Sequence, residues 1–523
     1  MRRTKKILCC FLLLLMTVFL YAGGGRQSDP AGGNAPTRET FNPASFPAPP
    51  ANYTIRILTI SFDGDIIQSD HPSVSRLQEH TGFGIRLEYV LNANYAEQMY
   101  TRIAGGDLPG LVVITANTGP IVTAAQGGAF WDITDVYDMY PELARADRNV
   151  LNNISIGGRI FGIQRERVIG RAGMIYRTDW LQNLGLSVPR TLDELYNVLH
   201  AFTYNDPDRN GINDTIGMAW TGTWMGPFND LAVMHGAPNK FGIQDGRLVP
   251  WFEYPEFFEA MVYSKRLYDE GILNRDFAAL PSPEWALVIG TGRAGWHIDV
   301  ADEANRTAAR LRDNGLMTQE AWERGELVGV MGSVANSRGQ MFSRPTTGHA
   351  GYVAISTSGA RTLQDLHYHL TFMNYLNDPV GVNLLNWGTE GINHRRNPDG
   401  TLSSIAAAEI PNGWHITAGW NQFRMLEHNS FIMSPNAYQA RHLVVYQENI
   451  AIAVHDPTLP LAMMAPTWIQ RSSSLDQIID DAVINFILGR IDQAGFRAQI
   501  ARWYNEGGQT ALAELQAAYD ASR

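Results

Sequence analysis

Between Tyr53 and Ile114 the chain reads strand, helix, strand, helix, strand, and that order constrains the fold more than any other feature. Tyr53-Thr-Ile-Arg-Ile-Leu-Thr-Ile60 alternates β-branched and polar residues, the period of a half-buried strand. His71 to His80 reads as a helix, Gly84 to Val90 as a second strand and Tyr95 to Gly105 as a second helix. The turn Gly106-Asp-Leu-Pro-Gly110 then leads into Leu111-Val-Val-Ile114, an apolar run of the kind buried on both faces of a parallel sheet. Such units predict an α/β lobe with a mostly parallel sheet. Short strands recur at Gly158–Gln164 and Gly173–Tyr176, and helical runs dominate from Leu363 onward. A chain of 523 residues predicts two to four domains, or two large lobes.

The N-terminus sets the compartment. Arg2, Arg3, Lys5 and Lys6 precede an apolar run from Ile7 to Tyr21, and Ala22 with Gly23–Gly25 supplies small residues for cleavage. Residues 1–22 therefore read as a secretory signal peptide cut near Ala22. The apolar run falls short of the ~17–25 residues a membrane span needs. Cys9 and Cys10, the chain's two cysteines, both lie in this leader, which excludes a disulfide framework or a cysteine-built metal site in the mature chain. Gly23 stands where a lipid-bearing cysteine would be needed, so no lipobox is recognisable. A soluble periplasmic or secreted protein is expected, with residues 23–51, rich in Gly, Pro, Ser and Asn, as a flexible tether. Asp and Glu total 52 against 41 Lys and Arg, a formal charge of −11, which offers no basic face for nucleic acid.

The sharpest local motif is Asp206-Pro-Asp208-Arg-Asn210-Gly211-Ile212-Asn-Asp214. It places oxygen donors at loop positions 1, 3, 5 and 9, a glycine at the sharp turn, and the Ile212 carbonyl at position 7, the layout of a calcium loop. Gly217 stands where a bidentate Glu would close the site, so Thr215 or water is expected to complete a structural Ca²⁺ site. The bland alternative is a solvated Asx-rich turn. Catalytic motifs are sparse. Gly290-Thr-Gly-Arg-Ala-Gly295 has dinucleotide-loop spacing but precedes strand-like Trp296-His-Ile-Asp299, so the match reads as accidental. His367 and His369 stand two apart and share no helix face. A glycosidase needs only two suitably spaced carboxylates, so an enzyme stays open on that ground.

The run Tyr176-Arg-Thr-Asp-Trp-Leu-Gln-Asn-Leu-Gly-Leu-Ser-Val-Pro-Arg-Thr-Leu-Asp-Glu-Leu195 resembles the signature of family 1 extracellular solute-binding proteins, the capture subunits of ABC importers. Ala104–Pro109, Gln126–Thr134, Gly157–Gln164, Gly292–Trp296 and Gly388–Ile392 resemble further family segments in the family's order, across nearly the whole mature chain. The last of these is similar to a longer, lipoprotein-like branch that includes alginate-oligosaccharide binders. Gln164 replaces the usual proline, and the lipid-attachment cysteine is missing.

The resemblance implies an α/β, two-lobed periplasmic-binding-protein fold, type II-like, with each lobe's sheet flanked by helices and a hinge between lobes. Its N-terminal lobe would be 52–163 plus 297–354. Its C-terminal lobe would be 164–296 plus 355–523, with a helical extension. Crossings would fall near Phe161–Glu166, Trp296–Asp299 and Tyr352–Ser356. The implied function is capture of an oligosaccharide by a monomer without bond chemistry, and delivery to ABC permease membrane subunits. The alternatives are an exported glycosidase or a ligand-sensing subunit for a membrane kinase. Sugar rings stack on indoles while their hydroxyls take polar groups. Of thirteen tryptophans, Trp220, Trp224, Trp296, Trp387 and Trp420 are the candidates for stacking, and Arg165, Glu166, Asp299 and Glu390 for the hydroxyls. Trp131, Trp180 and Trp503 read as structural.

Overall fold

The computed structural model describes residues 35–61, 66–406, 409–417, 419–423 and 435–523; the expected signal peptide and the start of the tether lie outside this range. The chain opens with β1 (Thr54–Ser61), α1 (Pro72–Thr81), β2 (Gly84–Leu91), α2 (Asn92–Gly105) and β3 (Leu111–Ile114), and the three strands pair in parallel. Both helices end on a left-handed glycine, Gly82 (φ 75°) and Gly106 (φ 64°), a conformation that costs a residue with a Cβ. All four residues of β3 are buried, as its unbroken apolar run requires. After α3 (Gly119–Gln126) and α4 (Arg148–Ile154), β4 (Gly162–Glu166) leaves for a second body.

That body begins with β5 (Ala172–Arg177), α5 (Thr178–Leu184), α6 (Leu192–Tyr204), β6 (Ile216–Met218) and α7 (Gly226–His235). A hairpin of β7 (Phe241–Gln244) and β8 (Arg247–Pro250) follows, then α8 (Pro255–Asp269), α9 (Ser282–Gly290), β9 (Ala294–Val300), α10 (Glu303–Asp313), α11 (Gln319–Glu323) and β10 (Val328–Met331). The chain returns to the first body with β11 (His349–Ile355), α12 (Leu363–Leu376), α13 (Pro379–Trp387) and the short hairpin of β12 (His394–Arg396) and β13 (Leu402–Ser404). It ends in the second body with α14 (Ala437–Ile450), α15 (Pro466–Ile487), α16 (Gln493–Trp503) and α17 (Gln509–Ala521).

The first sheet has five strands in the order β2-β1-β3-β11-β4, and the second has four in the order β10-β5-β9-β6. Both are mixed rather than mostly parallel. β11 runs antiparallel to β3 and β4, and β5 antiparallel to β9 and β10. The reason is connectivity: a strand arriving from the other body enters at the edge where its neighbours leave, so it must run against them.

This connectivity also moves the boundaries expected from sequence. β9 pairs with β5 and β6, so 297–300 belong to the second sheet, and Trp296–Asp299 is no crossing. Tyr352–Ile355 lies inside β11 of the first sheet, and Leu366, Phe372, Leu385, Trp420 and Phe423 join the first core, so 355–423 also goes with the first body. Sequence periodicity marks a strand without saying which sheet receives it. The tether is shorter than expected as well. Phe41 is fully buried in the first core, 5.3 Å from Phe46, which stacks at 4.9 Å on His367 of α12. Two aromatic anchors outweigh the disordering composition around them.

Candidate functional site

Strand directions dictate where a cleft must form. β1, β3 and β4 run parallel, with β4 leading out of the first body, so their carboxyl ends share the crossing edge. β6, β9 and β10 run against the incoming β5, so their carboxyl ends face the crossing edge of the second sheet. Ligands of open α/β sheets sit beyond carboxyl strand ends. Here two such edges meet at the crossing strands.

The first two crossings are bonded to each other: Arg167 N–H donates to Gly348 O at 2.9 Å and Thr346 N–H to Ile169 O at 2.8 Å. Ser343 N–H donates to Ile452 O at 3.0 Å, adding the segment after α14 to the same ribbon. Asn449, fully buried at the end of α14, donates its amide to Gly170 O at 3.0 Å and Ala172 O at 2.6 Å. Gly332, next after β10, has no room for a side chain, because a Cβ there would sit 2.1 Å from Asn449 Oδ1. Arg344 pairs at 2.7 Å with Asp230 of α7, so the second crossing is also tied to the helix below it. The third passage, between Phe423 and Ala437, falls largely on residues outside the described range.

On the first body's side, Arg165 and Glu166 end β4 and point to opposite faces, as strand residues do. Arg165 is buried, donating to Ala350 O at 2.6 Å and to Gln422 Oε1. Burial and the Arg165 charge hold nearby His349 down at about 4, so that ring is neutral at pH 7. Glu166 lines a hollow of about 240 Å³ beside the crossing, with Asp147, Arg167 and Ile450. The Trp387–Glu390 loop reaches the same edge through Thr389 Oγ1, 3.0 Å from Ser73 Oγ at the start of α1. Trp387 is half-buried; Glu390 is exposed and 3.7 Å from Arg396.

On the second body's side, Trp220 and Trp224 lie in the loop after β6. Trp220 is 3 % exposed, packed on Phe277, while Trp224 is 38 % exposed and 6.2 Å from Trp285. The hollow between Trp220 and Trp224 measures about 10 Å³, room for no more than one water. Asp299 sits at the end of β9. Burial and the Glu303 charge push its carboxyl up to about 7, against Arg306 and a bond from Val300 N–H. Asp302, just beyond, behaves oppositely. Burial would raise it, but Arg171 at 2.8 Å and Arg306 at 2.8 Å hold it well below the ordinary carboxylate range.

Several expected site residues are thus elsewhere. Trp296 is fully buried, stacked on Tyr176 at 4.8 Å, and Trp420 is fully buried with its Nε1 donating to Leu384 O at 3.0 Å. Neither offers a ring face to a ligand, because glycine-flanked tryptophans serve equally well as core wedges. Gln422, His349, Arg344 and Asp230 were missed by sequence reasoning; no local motif marks them. The half-buried Trp414, 6.4 Å from His71, could have been found as one more tryptophan in a turn. The spacing Gly290–Gly295 joins α9 to β9, helix before strand, the reverse of a dinucleotide loop.

The acidic loop after α6 turns sharply at Asp206 (φ 47°), Arg209 (φ 57°) and Gly211 (φ 80°). Asp206 accepts from Asn210 N–H at 3.1 Å and Gly211 N–H at 3.0 Å, and the Asn210 amide bridges Asp208 at 2.9 Å and Asp214 at 3.5 Å. Burial in the turn, with Asp206 and Asp214 alongside, holds Asp208 above the ordinary carboxylate value despite the Asn210 N–H. Such a set of hard oxygen donors fits Ca²⁺, and a cation would relieve the crowding. Thr215 does not fit: its hydroxyl donates to Phe202 O at 2.7 Å, away from the loop. Among the described residues no three acidic, histidine or cysteine side chains already stand in a metal-holding group, so the loop would have to contract on an ion.

The family model for bacterial extracellular solute-binding proteins matches residues 68–285. Lipoprotein LipO of Bacillus subtilis is 32% identical over 494 residues, spanning 93% of this chain and 95% of that protein. The polygalacturonan/rhamnogalacturonan-binding protein YtcQ of Bacillus subtilis is 26% identical over 450 residues, 86% of this chain and 88% of that one. Among solved structures, an EF-hand mutant of the Streptococcus pneumoniae ABC-transporter substrate-binding protein FusA, in complex with fructo-nystose, superposes with a TM-score of 0.66 at 17% identity, covering 90% of this chain and 99% of that chain. At that identity the likeness is one of fold.

Proposed function

Since the chain belongs to the bacterial extracellular solute-binding proteins, we propose that it is the substrate-binding protein of an ABC importer, capturing an oligosaccharide between its two bodies for a membrane permease. The observation that carries this reading is the meeting of two carboxyl-end sheet edges at a narrow, mutually bonded set of crossing strands. Such a ribbon can flex while each sheet stays rigid, and closure buries what lies between. YtcQ and FusA, named for saccharide ligands, support a sugar. Binding without bond chemistry, an exported location with the leader removed near Ala22, and a monomer are parts of the same proposal. No helix among the described residues is long and apolar enough to cross a membrane. Trp224, Trp387, Glu166, Asp299 and Glu390 are retained as contacts, with Trp414 added; Arg165 and Gln422, buried and bonded to each other, would stand behind the surface, and Trp220, buried against Phe277, is set aside with Trp296 and Trp420.

Tryptophan fluorescence of the mature chain, titrated with neutral and acidic oligosaccharides, should show a saturable change, and chromatography afterward should recover the sugar intact. Trp224→Ala is expected to weaken binding roughly three- to tenfold, the worth of one stacked ring. Recovery of cleaved sugar would replace this reading with the glycosidase. No response to any saccharide would remove the carbohydrate claim.

The calcium loop belongs to the proposal too, held by Asp206, Asp208, Asn210, Asp214 and the Ile212 carbonyl. The EF-hand for which the FusA mutant is named supports it. An ion bound at about 100 times its Kd adds about 2.7 kcal/mol to stability. Chelation should therefore lower the melting temperature by roughly 2–5 °C, and Asp206→Ala should abolish the difference. Equal melting with and without chelator would reject a structural ion here.

A further inference from the structure

The second body holds a chamber that the cleft does not explain. It measures about 60 Å³ and is walled by the rings of Phe241, Trp251, Trp468 and Trp503, with the carboxylates of Asp476 and Asp480 at its polar side. Trp468, Asp476 and Asp480 recur at multiples of four along α15 and so share one helix face. The rings are held by edge contacts, Trp468 on Phe241 at 5.4 Å and Trp503 on Phe252 at 5.0 Å.

An ammonium group already reaches into this chamber. Lys240 Nζ lies 2.6 Å from Asp476 Oδ2, and Lys240 holds a φ of 62°, an uncommon conformation for a residue with a Cβ. Its single charge faces three carboxylates, Asp476, Asp480 and Asp456. Asp456 is satisfied by Thr458 N–H at 2.8 Å and its hydroxyl at 2.7 Å. Asp480 accepts no hydrogen bond from any described residue. Burial and the Asp476 charge push Asp480 up to about 6 despite Lys240, and burial does the same to Asp456. At pH 7 the group therefore lacks positive charge, beside aromatic faces that attract cations.

We propose that this chamber is a binding site for an organic ammonium group, seated against the tryptophan faces with Asp480 as counter-ion and Lys240 as a tethered competitor. The group has two chemical sources: an amino sugar within an oligosaccharide, which rests on the transport reading above, or a small free amine, which does not. The chain's net charge of −11 favours approach of either.

The test titrates the full mature chain with 1,4-diaminobutane, a glucosamine oligomer and its N-acetylated counterpart, following tryptophan fluorescence and calorimetry. A saturable response to an ammonium probe is expected. Asp480→Asn should weaken it about tenfold or more by removing the counter-ion, and Lys240→Gln should tighten it by removing the competitor. The N-acetylated oligomer should be indifferent to both changes. Tightening in Lys240→Gln cannot come from misfolding, which keeps the test decisive. A response to the oligomer alone assigns the amino sugar, and a response to both assigns the ammonium group itself. Silence with both ammonium probes, or unchanged affinity in Asp480→Asn, overturns the proposal. Binding of the N-acetylated oligomer would then leave the transport reading standing, whereas diaminobutane binding without any saccharide binding would do the reverse.

Discussion

Trp296→Ala is expected to lower the free energy of unfolding by about 3–5 kcal/mol, the cost of deleting a buried aromatic side chain. The ring is fully buried in the centre of β9 and lies parallel to Tyr176 at an interplanar angle of 16°. It belongs to a packed neighbourhood: a Cβ on the preceding Gly295 would meet Phe202 at 2.3 Å and Trp180 at 2.5 Å. Trp296→Phe should retain most of the stability, because the indole Nε1 has no hydrogen-bond partner to lose. Urea denaturation measures both. An alanine variant with unchanged stability and lost ligand affinity would instead restore Trp296 to the binding surface.

Asp302→Asn should be nearly as damaging, about 3–5 kcal/mol, since it leaves charged partners in a largely buried network. Asp302 takes two bonds from Arg171, at 2.9 and 2.8 Å, another from Arg306 at 2.8 Å and one from the Tyr446 hydroxyl at 2.9 Å. It thereby ties the start of the second body to α10 and α14. Its carboxyl sits below the unfolded value of about 3.9, so its stabilisation is present above pH ~4 and is lost as pH falls through the acid range. Asp299 has the opposite sign. With its folded pKa pushed up to about 7, its contribution is fully present below pH ~4 and is lost as pH rises through 7. Asp299→Asn is therefore expected to stabilise the protein at pH 8, on the order of 2 kcal/mol, while Asp302→Asn destabilises it. Denaturation at pH 5 and pH 8 separates the two, and a destabilising Asp299→Asn at pH 8 would contradict the burial argument.

The strands were legible wherever one residue type repeats with a short period. Leu111–Ile114 needed nothing beyond its four apolar residues, and the alternation of Tyr53–Ile60 places β1 within one residue at either end. Assignment to a sheet was not legible, because β9 and β11 are equally apolar and only pairing partners nearly 80 or more residues away distinguish them. The candidate site divides similarly. Arg165 and Glu166 stand at the carboxyl end of β4, where a crossing was expected, whereas Asp299 ends β9, which is no crossing. Trp296 and Trp420 were misplaced because composition reports how many indoles exist and not which face water. The face of α15 bearing Trp468, Asp476 and Asp480 could have been read as a stripe, but Lys240 lies more than 200 residues away and only the fold brings it there.

The placement of β11 between β3 and β4 has a consequence for how the chain acquires its structure. A central strand of the first sheet is made only after the entire intervening stretch from β5 to β10 has been synthesised. Residues 167–348 take roughly ten to forty seconds at typical elongation rates, and throughout that interval β3 and β4 lack the strand that joins them. Contacts so distant in sequence also make for slow folding once the chain is complete. Under the export proposed above, this slowness is an asset: a nascent polypeptide that has not closed its first sheet stays threadable while a secretion channel takes it up.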